Sequence, residues 1–473
     1  QGEPRMDYLN ILILILATTV FTESSVIINS YAEDECVLDP KLVAEIASYQ
    51  NVTRNIMSEI NVGVCYFRYT RFIDKFGARP AGTENLEKSI DYMINLTRQN
   101  GLDDITTEEC EIPHWVRLNE SARMLQPQNK NIALLGLGSS ISTPPEGITA
   151  EVIVINSFEE LENVDPKAIE GKIVLFDAPF VTYGKTVKYR NQGSSKASKM
   201  GAVATLVRSI TPYSMYTPHA GTQYYEENVT KIPAAAITVE DARLMRRFQD
   251  EGEKIVINLK MSNTFDKKKS RNTLIDLKGT QNPEKLVIVS GHIDSWDVGQ
   301  GAMDDGGGMM IGWFVPVFLN QRHWRPKRTV RAILWTAEEP GYVGSRAYIE
   351  KHESELSNIN FILESDEGTF RPLGLDVAGS KRAQCIVKEV LKLFTPIDKL
   401  VNTGHPGSDM QFFIKKGIPG ASLLNQSDKY FWFHHSEADT LDVQNPTDVI
   451  ECAAFWAAFS YVIADLSVDI PRT

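Results

Sequence analysis

The sequence predicts an α/β fold whose main sheet is mixed, mostly parallel and covered by helices. Short apolar runs at residues 286–290, 330–335, 360–363 and 421–424 alternate with helix-length segments, a pattern typical of such sheets. Three of these runs lead into ionisable residues, and the ligand site of a parallel sheet lies beyond the carboxyl ends of its strands. A second alternation of strands and helices predicts a smaller α/β domain inserted at residues 146–261.

Length and charge set the first limits on domain number and partners. A chain of 473 residues exceeds the size at which single cores stop growing, so we expect more than one domain. The net charge of −12 argues against nucleic acid as a partner, because phosphate binding needs clustered Lys and Arg. Five cysteines are too few for a disulfide-dense scaffold, and their odd number leaves at least one thiol unpaired within the chain.

The first residues and the glycosylation motifs favour the secretory pathway. Residues 1–32 are expected to hold a short N-terminal remnant and a signal peptide, because the uncharged apolar run at 11–21 is too short to span a bilayer. Five Asn-x-Ser/Thr motifs are candidate glycosylation sites: Asn51, Asn95, Asn119, Asn228 and Asn425. We therefore expect a secreted or lysosomal glycoprotein.

The remaining chain divides into a split main domain and the insert. The first part, residues 33–145, contains predicted helices at 41–60 and 86–99 with a turn-rich loop between them. The basic run at 267–271 follows the insert and is interpreted as a solvated connector. The second part, residues 262–473, ends in an apolar stretch at 453–464, which is interpreted as a buried helix rather than a membrane span.

A set of imidazoles and carboxylates near the strand ends predicts a metal site. Its members are His292, Asp304, Glu339, Asp366 and His435. These nitrogen and oxygen ligands suit Zn²⁺, and one bridging carboxylate would leave each of two metals one His and one further acid. Asp294 follows His292 by two residues, so its carboxylate could accept the second ring N–H. Glu338 precedes Glu339 and could take a proton from a metal-bound water.

Each of these features is weak alone, because a His-x-Asp motif is more often structural and an acidic pair is usually solvated. Because these features occur together at several strand ends, a functional site is the better interpretation. One choice stays open at this point: Glu364 and Asp366 are two residues apart and lie on one face of a strand, so spacing does not decide between them.

The chain resembles the M28 family of co-catalytic zinc peptidases over nearly its whole mature length. The matching strings are SGHIDSWDVGQGAMDDGGG at 290–308, WTAEEPGYVGS at 335–345, ESDEGTF at 364–370 and KYFWFHHSEADT at 429–440. By position, the resemblance implies that His292, Asp304 and Asp366 are metal ligands, that Asp304 bridges, and that Glu339 and His435 complete the set. It implies that Glu338 is the general base and that Asp294 supports His292. The family pattern selects Asp366 over Glu364 and His435 over His434.

The resemblance also implies the activity and the assembly. The expected protein is a secreted or lysosomal homodimer with two Zn²⁺ per chain, and its insert is a protease-associated domain lying over the cleft. It would hydrolyse dipeptides or short peptides with free termini, by a metal-bound hydroxide that forms when Glu338 takes a proton from water. The alternatives are an aminopeptidase on the same site, a non-catalytic receptor-like relative, and an amidohydrolase or cyclase acting on non-peptide amides.

Overall fold

The main sheet has four parallel strands at its centre and antiparallel strands towards its edges. In the computed structural model, which describes residues 36–60, 62–404 and 407–473, its strand order is β13-β12-β14-β11-β9-β10-β8. The strands of the described chain are β1 (Ile105–Gln126), β2 (Lys130–Ile132), β3 (Leu134–Gly136), β4 (Ile148–Ile155), β5 (Ile173–Phe176), β6 (Ala204–Arg208), β7 (Ala234–Ile237), β8 (Val256–Leu277), β9 (Asn282–His292), β10 (Arg328–Trp335), β11 (Ile359–Glu364), β12 (Pro372–Ala378), β13 (Lys399–Val401) and β14 (Gly420–Asn425). Strands β14, β11, β9 and β10 are parallel, whereas β8 and β12 run antiparallel to their neighbours β10 and β14. The predicted fold class is confirmed.

Helices pack against the main sheet and against the strands of the insert. Those of the described chain are α1 (Pro40–Ser48), α2 (Gln50–Glu59), α3 (Val62–Phe76), α4 (Glu84–Gln99), α5 (Phe158–Asn163), α6 (Pro166–Ile169), α7 (Tyr183–Thr186), α8 (Lys188–Lys199), α9 (Val239–Asp250), α10 (Gly307–Gln321), α11 (Val343–Lys351), α12 (Lys381–Leu391), α13 (Gln411–Lys415), α14 (Tyr430–Phe433) and α15 (Pro446–Asp465). The apolar helices α10 and α15 contact each other and the sheet, and nearly all of their side chains are buried. A helix that is apolar all round needs this environment.

Helix α15 contains the apolar stretch that the sequence assigned to the interior. Among the described residues, α15 is the one helix that is long and apolar enough to cross a membrane. However, 83% of its most apolar 18-residue window is buried within the protein. The interpretation of residues 453–464 as a buried helix is confirmed. The predicted leader at residues 1–32 lies outside the described residues.

A long antiparallel ribbon connects the main sheet to the strands of the insert. Strands β1 and β8 each have 22 residues and pair along almost their whole length. Near its end β8 pairs with β10 of the main sheet, and near its start it pairs with β4 of the insert. The insert strands then follow the order β4-β5-β6-β7-β3, with parallel pairing from β4 to β7.

The interpretation of residues 267–271 as a connector is wrong, because this segment lies inside β8. Lys267 contacts Glu111 and Lys269 contacts Glu109 across the ribbon, at 2.5 and 3.1 Å. These cross-strand pairs of opposite charge let a basic run form a strand. The limits of the insert stay a prediction: β3 precedes residue 146 but pairs with β7, and β8 continues past residue 261 without a break.

Arg79 fixes the loop that follows β9. Its side chain is fully buried and donates hydrogen bonds to four backbone carbonyls, those of Gly77, Ile293, Gln300 and Gly301. Burial lowers the pKa of the guanidinium, as expected for a charge removed from water. One side chain therefore holds both ends of the segment between β9 and α10.

We expect the Arg79→Met substitution to lower the free energy of unfolding by about 3 kcal/mol, because it leaves several buried carbonyls without donors. Denaturant titration of the purified protein measures this loss. The matched control is Arg71→Met, which removes an exposed guanidinium from α3. Equal midpoints for the two variants would contradict the role of Arg79.

Candidate metal centre

The carboxyl ends of neighbouring parallel strands bring the predicted ligands together. His292 is the last residue of β9, Glu339 follows β10, and Asp366 follows β11. Because β9 pairs with both β10 and β11, these three segments lie side by side. His435 follows the short helix α14, which comes after β14, the other neighbour of β11. The structure therefore places these four residues at the same edge of the sheet, as the sequence predicted.

Asp304 lies between two imidazoles. Its Oδ1 atom is 3.2 Å from Nε2 of His292, and its Oδ2 atom is 3.2 Å from Nε2 of His435. The other two carboxylates lie on either side, since Asp366 Oδ1 is 3.0 Å from Nε2 of His292 and Glu339 Oε2 is 3.1 Å from Nε2 of His435. Each imidazole therefore faces Asp304 and one further carboxylate.

The chemistry of this cluster fits a metal centre. Oε1 of Glu339 is buried and has no hydrogen-bond partner among the described residues, and Oδ2 of Asp304 is buried and faces imidazole nitrogens without a well-aligned hydrogen bond. Ligand atoms of His292, Asp304 and Asp366 lie within 4.8 Å of one another, as do those of Asp304, His434 and His435. Buried oxygens without donors are costly unless a cation satisfies them, and the donor set suits Zn²⁺.

Electrostatics give the same indication. Burial alone lowers the pKa of His292, but the carboxylates of Asp366, Asp294 and Asp304 raise it well above its usual value. The pKa of His435 is raised to about 9 despite burial, because Glu339 and Asp304 favour its charged form. Burial raises the pKa of Glu339 to about 7. A bound cation would favour the ionised carboxylates and the neutral imidazoles that metal ligation requires.

The two acids at the end of β11 have different contacts. Both carboxylate oxygens of Glu364 accept backbone N–H groups, from Asp409 and Met410 at 3.1 and 2.8 Å. Asp366 faces His292 instead, and Ser408 donates to its second oxygen. His434, which the family pattern left out of the ligand set, also contacts the cluster. Its ring stacks on that of His435, and its Nε2 lies 3.5 Å from Oδ2 of Asp304.

Asp294 has a different contact from the one expected. Nδ1 of His292 lies 3.0 Å from the backbone oxygen of Asp294, whereas the nearest carboxylate oxygen is 3.7 Å away. The carboxylate instead accepts the backbone N–H groups of Glu338 and Glu339, at 3.1 and 3.3 Å. The backbone of Asp294 thus orients the imidazole, and its side chain holds the turn that carries the two glutamates.

Glu338 lies at the edge of the cluster and lines a cavity of about 420 Å³. Its Oε2 atom is 4.0 Å from Nε2 of His292, and its side chain is 12% exposed. Burial and the neighbouring carboxylates of Asp366 and Glu339 raise its pKa well above the usual value. A carboxylate with a raised pKa beside a cluster of candidate metal ligands is a candidate general base.

Residues of the insert region complete this site. The backbone oxygen of Ala220 is 3.2 Å from Nδ1 of His435, and the backbone N–H of Ala220 donates to the oxygen of His435 at 2.7 Å. Thr222 donates to the backbone oxygen of Glu339 at 3.0 Å. His435 has φ of +59°, a strained conformation for a residue other than glycine, and these contacts help to hold it.

Comparison with known proteins identifies the family. Residues 272–460 match the model of peptidase family M28. Carboxypeptidase Q of Xenopus laevis is 48% identical over 90% of this chain and 92% of its own length, and that of Homo sapiens is 47% identical over 91% and 92%. The chain belongs to peptidase family M28. The family and the peptidase class expected from the motifs are therefore confirmed.

Solved structures agree with this assignment. The M28 peptidase precursor from Shewanella amazonensis superposes with a TM-score of 0.87 at 30% identity, covering 90% of this chain and 99% of that one. A zinc aminopeptidase from Bacillus subtilis has the same fold, with a TM-score of 0.67 at 20% identity and coverage of 87% and 99%.

Sequence reasoning missed two acids that position the M28 cluster. Asp439 accepts the backbone N–H groups of Met303 and Asp304, at 2.7 and 3.2 Å. Asp305 accepts those of His292 and Gly308, at 3.1 and 3.0 Å. The only signal in the sequence was that both acids lie inside the motifs at 290–308 and 429–440. An acid that accepts backbone N–H groups has no characteristic sequence spacing.

The glycosylation motifs differ in accessibility. Asn51, Asn95, Asn119 and Asn228 are exposed and stay predictions. Asn425 also stays a prediction, but it differs from the other four: its side chain is 6% exposed and its amide donates to the backbone oxygen of Gly368 at 2.8 Å. Of the cysteines, Cys385 is disulfide-bonded, while Cys65, Cys110 and Cys452 have free thiols. The expectation of an unpaired thiol is confirmed.

We expect the Asp294→Asn substitution to weaken zinc binding by about 10–100-fold, because the amide NH2 would face one of the two N–H groups, of Glu338 and Glu339, that the carboxylate now accepts. Competition with a chromogenic chelator measures the dissociation constant. Asp398→Asn, which changes an exposed acid, serves as the control. Unchanged zinc affinity in Asp294→Asn would show that this acid does not support the site.

Proposed function

We propose that this M28 peptidase is a zinc-dependent carboxypeptidase or dipeptidase that removes C-terminal residues from short peptides. The observation that carries the proposal is the position of Asp304, whose two oxygens each face an imidazole and which is flanked by two further carboxylates. The relatives named Carboxypeptidase Q, 46–48% identical, support the carboxypeptidase direction. The aminopeptidase alternative is not favoured by these relatives.

The five predicted ligands would hold two zinc ions. His292 and Asp366 would hold one ion, His435 and Glu339 the other, and Asp304 would bridge them. Such a pair, when bound, lowers the pKa of a water molecule and polarises the scissile carbonyl. Glu338 and four of these ligands, Asp304, Glu339, Asp366 and His435, line one cavity, which supports a peptide-sized substrate site.

Glu338 would move the proton in this reaction. Its carboxylate would take a proton from the attacking water and later give it to the nitrogen of the leaving amine. Two features support this role: Glu338 reaches the cluster without making a hydrogen bond to either imidazole, and the N–H groups of its own turn are held by Asp294. Its low exposure excludes most bulk water from the site.

We expect the Glu338→Gln substitution to lower kcat by at least about 100-fold, because the amide cannot accept the proton. The same preparation should retain two zinc ions per chain by plasma mass spectrometry, since the ligands are unchanged. Glu350→Gln, on the exposed face of α11, is the matched control and should keep full activity. Normal turnover by Glu338→Gln would contradict the assignment.

Other properties follow from the family resemblance and the chain's chemistry. A secreted or lysosomal location is supported by the disulfide at Cys385, because such bonds persist in oxidising compartments. The four exposed glycosylation motifs fit the same location. The insert would act as a protease-associated domain over the cleft, supported by the contacts of Ala220 and Thr222 with the cluster.

A homodimer is the assembly that the resemblance implies. Multi-angle light scattering of the purified, deglycosylated protein should therefore give about twice the chain mass of 53.0 kDa. The measurement needs several protein concentrations, because a weak dimer dissociates on dilution. A mass near that of one chain at all concentrations would contradict the homodimer.

A further inference from the structure

The cavity beside the metal cluster extends over the ends of β12 and β14. Asp376 of β12 and Ser422 of β14 pair directly in the antiparallel ladder, so their side chains lie on the same face of the sheet, and both line the cavity. Glu367 follows Asp366 at the end of β11, the other neighbour of β14, and lines the cavity as well. This part of the cavity, the β14 pocket, is lined by Glu367, Asp376, Ser422, Leu424 and Asn425.

The two acids of the β14 pocket have no cation partner. Asp376 is 7% exposed and accepts the backbone N–H of Thr403 at 3.0 Å as well as the hydroxyl of Thr403. No Lys or Arg of the described chain forms an ion pair with Asp376 or Glu367. Burial by the cavity walls and the carboxylates of Asp366 and Asp376 raise the pKa of Glu367 to about 7. A cation bound beside Glu367 would offset both effects.

Asn425 adds a buried acceptor to the same pocket. Its side chain is 6% exposed, and its amide nitrogen donates to the backbone oxygens of Glu367 and Gly368, at 3.3 and 2.8 Å. Because both partners are carbonyl groups, the orientation of the amide is fixed. Oδ1 of Asn425 is then left buried without a hydrogen-bond partner among the described residues. Since a buried acceptor without a donor is costly, this oxygen and the two acids favour a ligand that donates hydrogen bonds.

The order of the strands indicates which residue of a substrate reaches the β14 pocket. Across the main sheet the order is β12, β14, β11, β9 and β10. Glu338, which would give a proton to the leaving amine, follows β10, whereas the pocket lies at β12 and β14. The leaving residue therefore lies on the Glu338 side of the metal cluster. The residue on the amino side of the scissile bond extends the opposite way, towards the β14 pocket.

We propose that the β14 pocket binds a Lys or Arg side chain on the amino side of the scissile bond, and that Glu367 determines this specificity. The inference rests on the proposed peptidase function and names a substrate class for it. Leu424 offers apolar surface to the alkyl stem of such a side chain, while the charged head reaches the carboxylates. Hydrogen bonds between a cationic donor and a carboxylate are among the strongest in proteins.

The test uses dipeptides that differ by one charge. Norleucine has the alkyl side chain of Lys without the ammonium group, so Lys-Ala and norleucine-Ala form a matched pair. Ala-Lys and Ala-norleucine place the same two side chains on the carboxyl side of the peptide bond. The enzymes are wild type, Glu367→Gln and Asp376→Asn, with Glu451→Gln as a control that removes an exposed charge from α15. Zinc content and thermal unfolding are measured on every preparation, because Glu367 is next to a proposed ligand.

We expect wild type and Glu451→Gln to prefer Lys-Ala over norleucine-Ala by about 10–100-fold in kcat/KM, the range of a hydrogen bond to a charged group. Glu367→Gln should reduce this ratio by about 10-fold through slower cleavage of Lys-Ala, with norleucine-Ala unaffected. Ala-Lys and Ala-norleucine should be cleaved at similar rates by all four enzymes. If Glu367→Gln loses zinc or does not fold, the ratio of Asp376→Asn decides the question, and it should also fall.

Contrary results separate the specificity from the activity. Equal kcat/KM for Lys-Ala and norleucine-Ala in wild type would overturn the specificity, while the peptidase function stands. A zinc-loaded Glu367→Gln variant that keeps the wild-type ratio would overturn the assignment of Glu367. The same holds if this variant slows both dipeptides alike, because Glu367 would then contact a group common to both, such as the α-ammonium. A zinc-loaded wild type that cleaves none of these dipeptides would instead overturn the proposed function, and the inference with it.

Discussion

The carboxylate of Asp304 between two imidazoles is the contact on which the rest of the site depends. Its oxygens lie 3.2 Å from His292 on one side and 3.2 Å from His435 on the other. The two histidines come from strands and segments far apart in sequence, so a small displacement of Asp304 would separate the halves of the cluster. Much of the surrounding structure fixes this residue: Asp439 holds its backbone N–H, and Arg79 holds the loop that leads to it.

Burial makes this cluster of carboxylates favourable for cation binding. Carboxylates packed this closely raise one another's pKa, as Glu338 and Glu339 show, and the cost falls when cations neutralise them. The same low exposure strengthens each remaining electrostatic contact. The insert region contributes to this environment through Ala220 and Thr222.

The sequence predicted the centre of the site better than its supports. Ligands at the ends of parallel strands are readable because β9, β10 and β11 must place their carboxyl ends at one edge. The sequence did not predict the ribbon of β1 and β8, because charged residues such as Lys267 and Lys269 interrupt the alternation of apolar and polar residues that is typical of a strand. Arg79 and Asp439 were missed because their partners are backbone groups, which any residue offers. The carboxylate of Asp294 was assigned to His292, but folding brings the amides of the next turn closer.

The most direct test of this account is the position of the metals relative to Asp304. Anomalous diffraction from crystals of the zinc-loaded protein, recorded on both sides of the zinc absorption edge, locates each ion. We expect two peaks about 3.5–4 Å apart, each about 2 Å from a different oxygen of Asp304. A single peak, or two peaks of which one has no contact with Asp304, would contradict it.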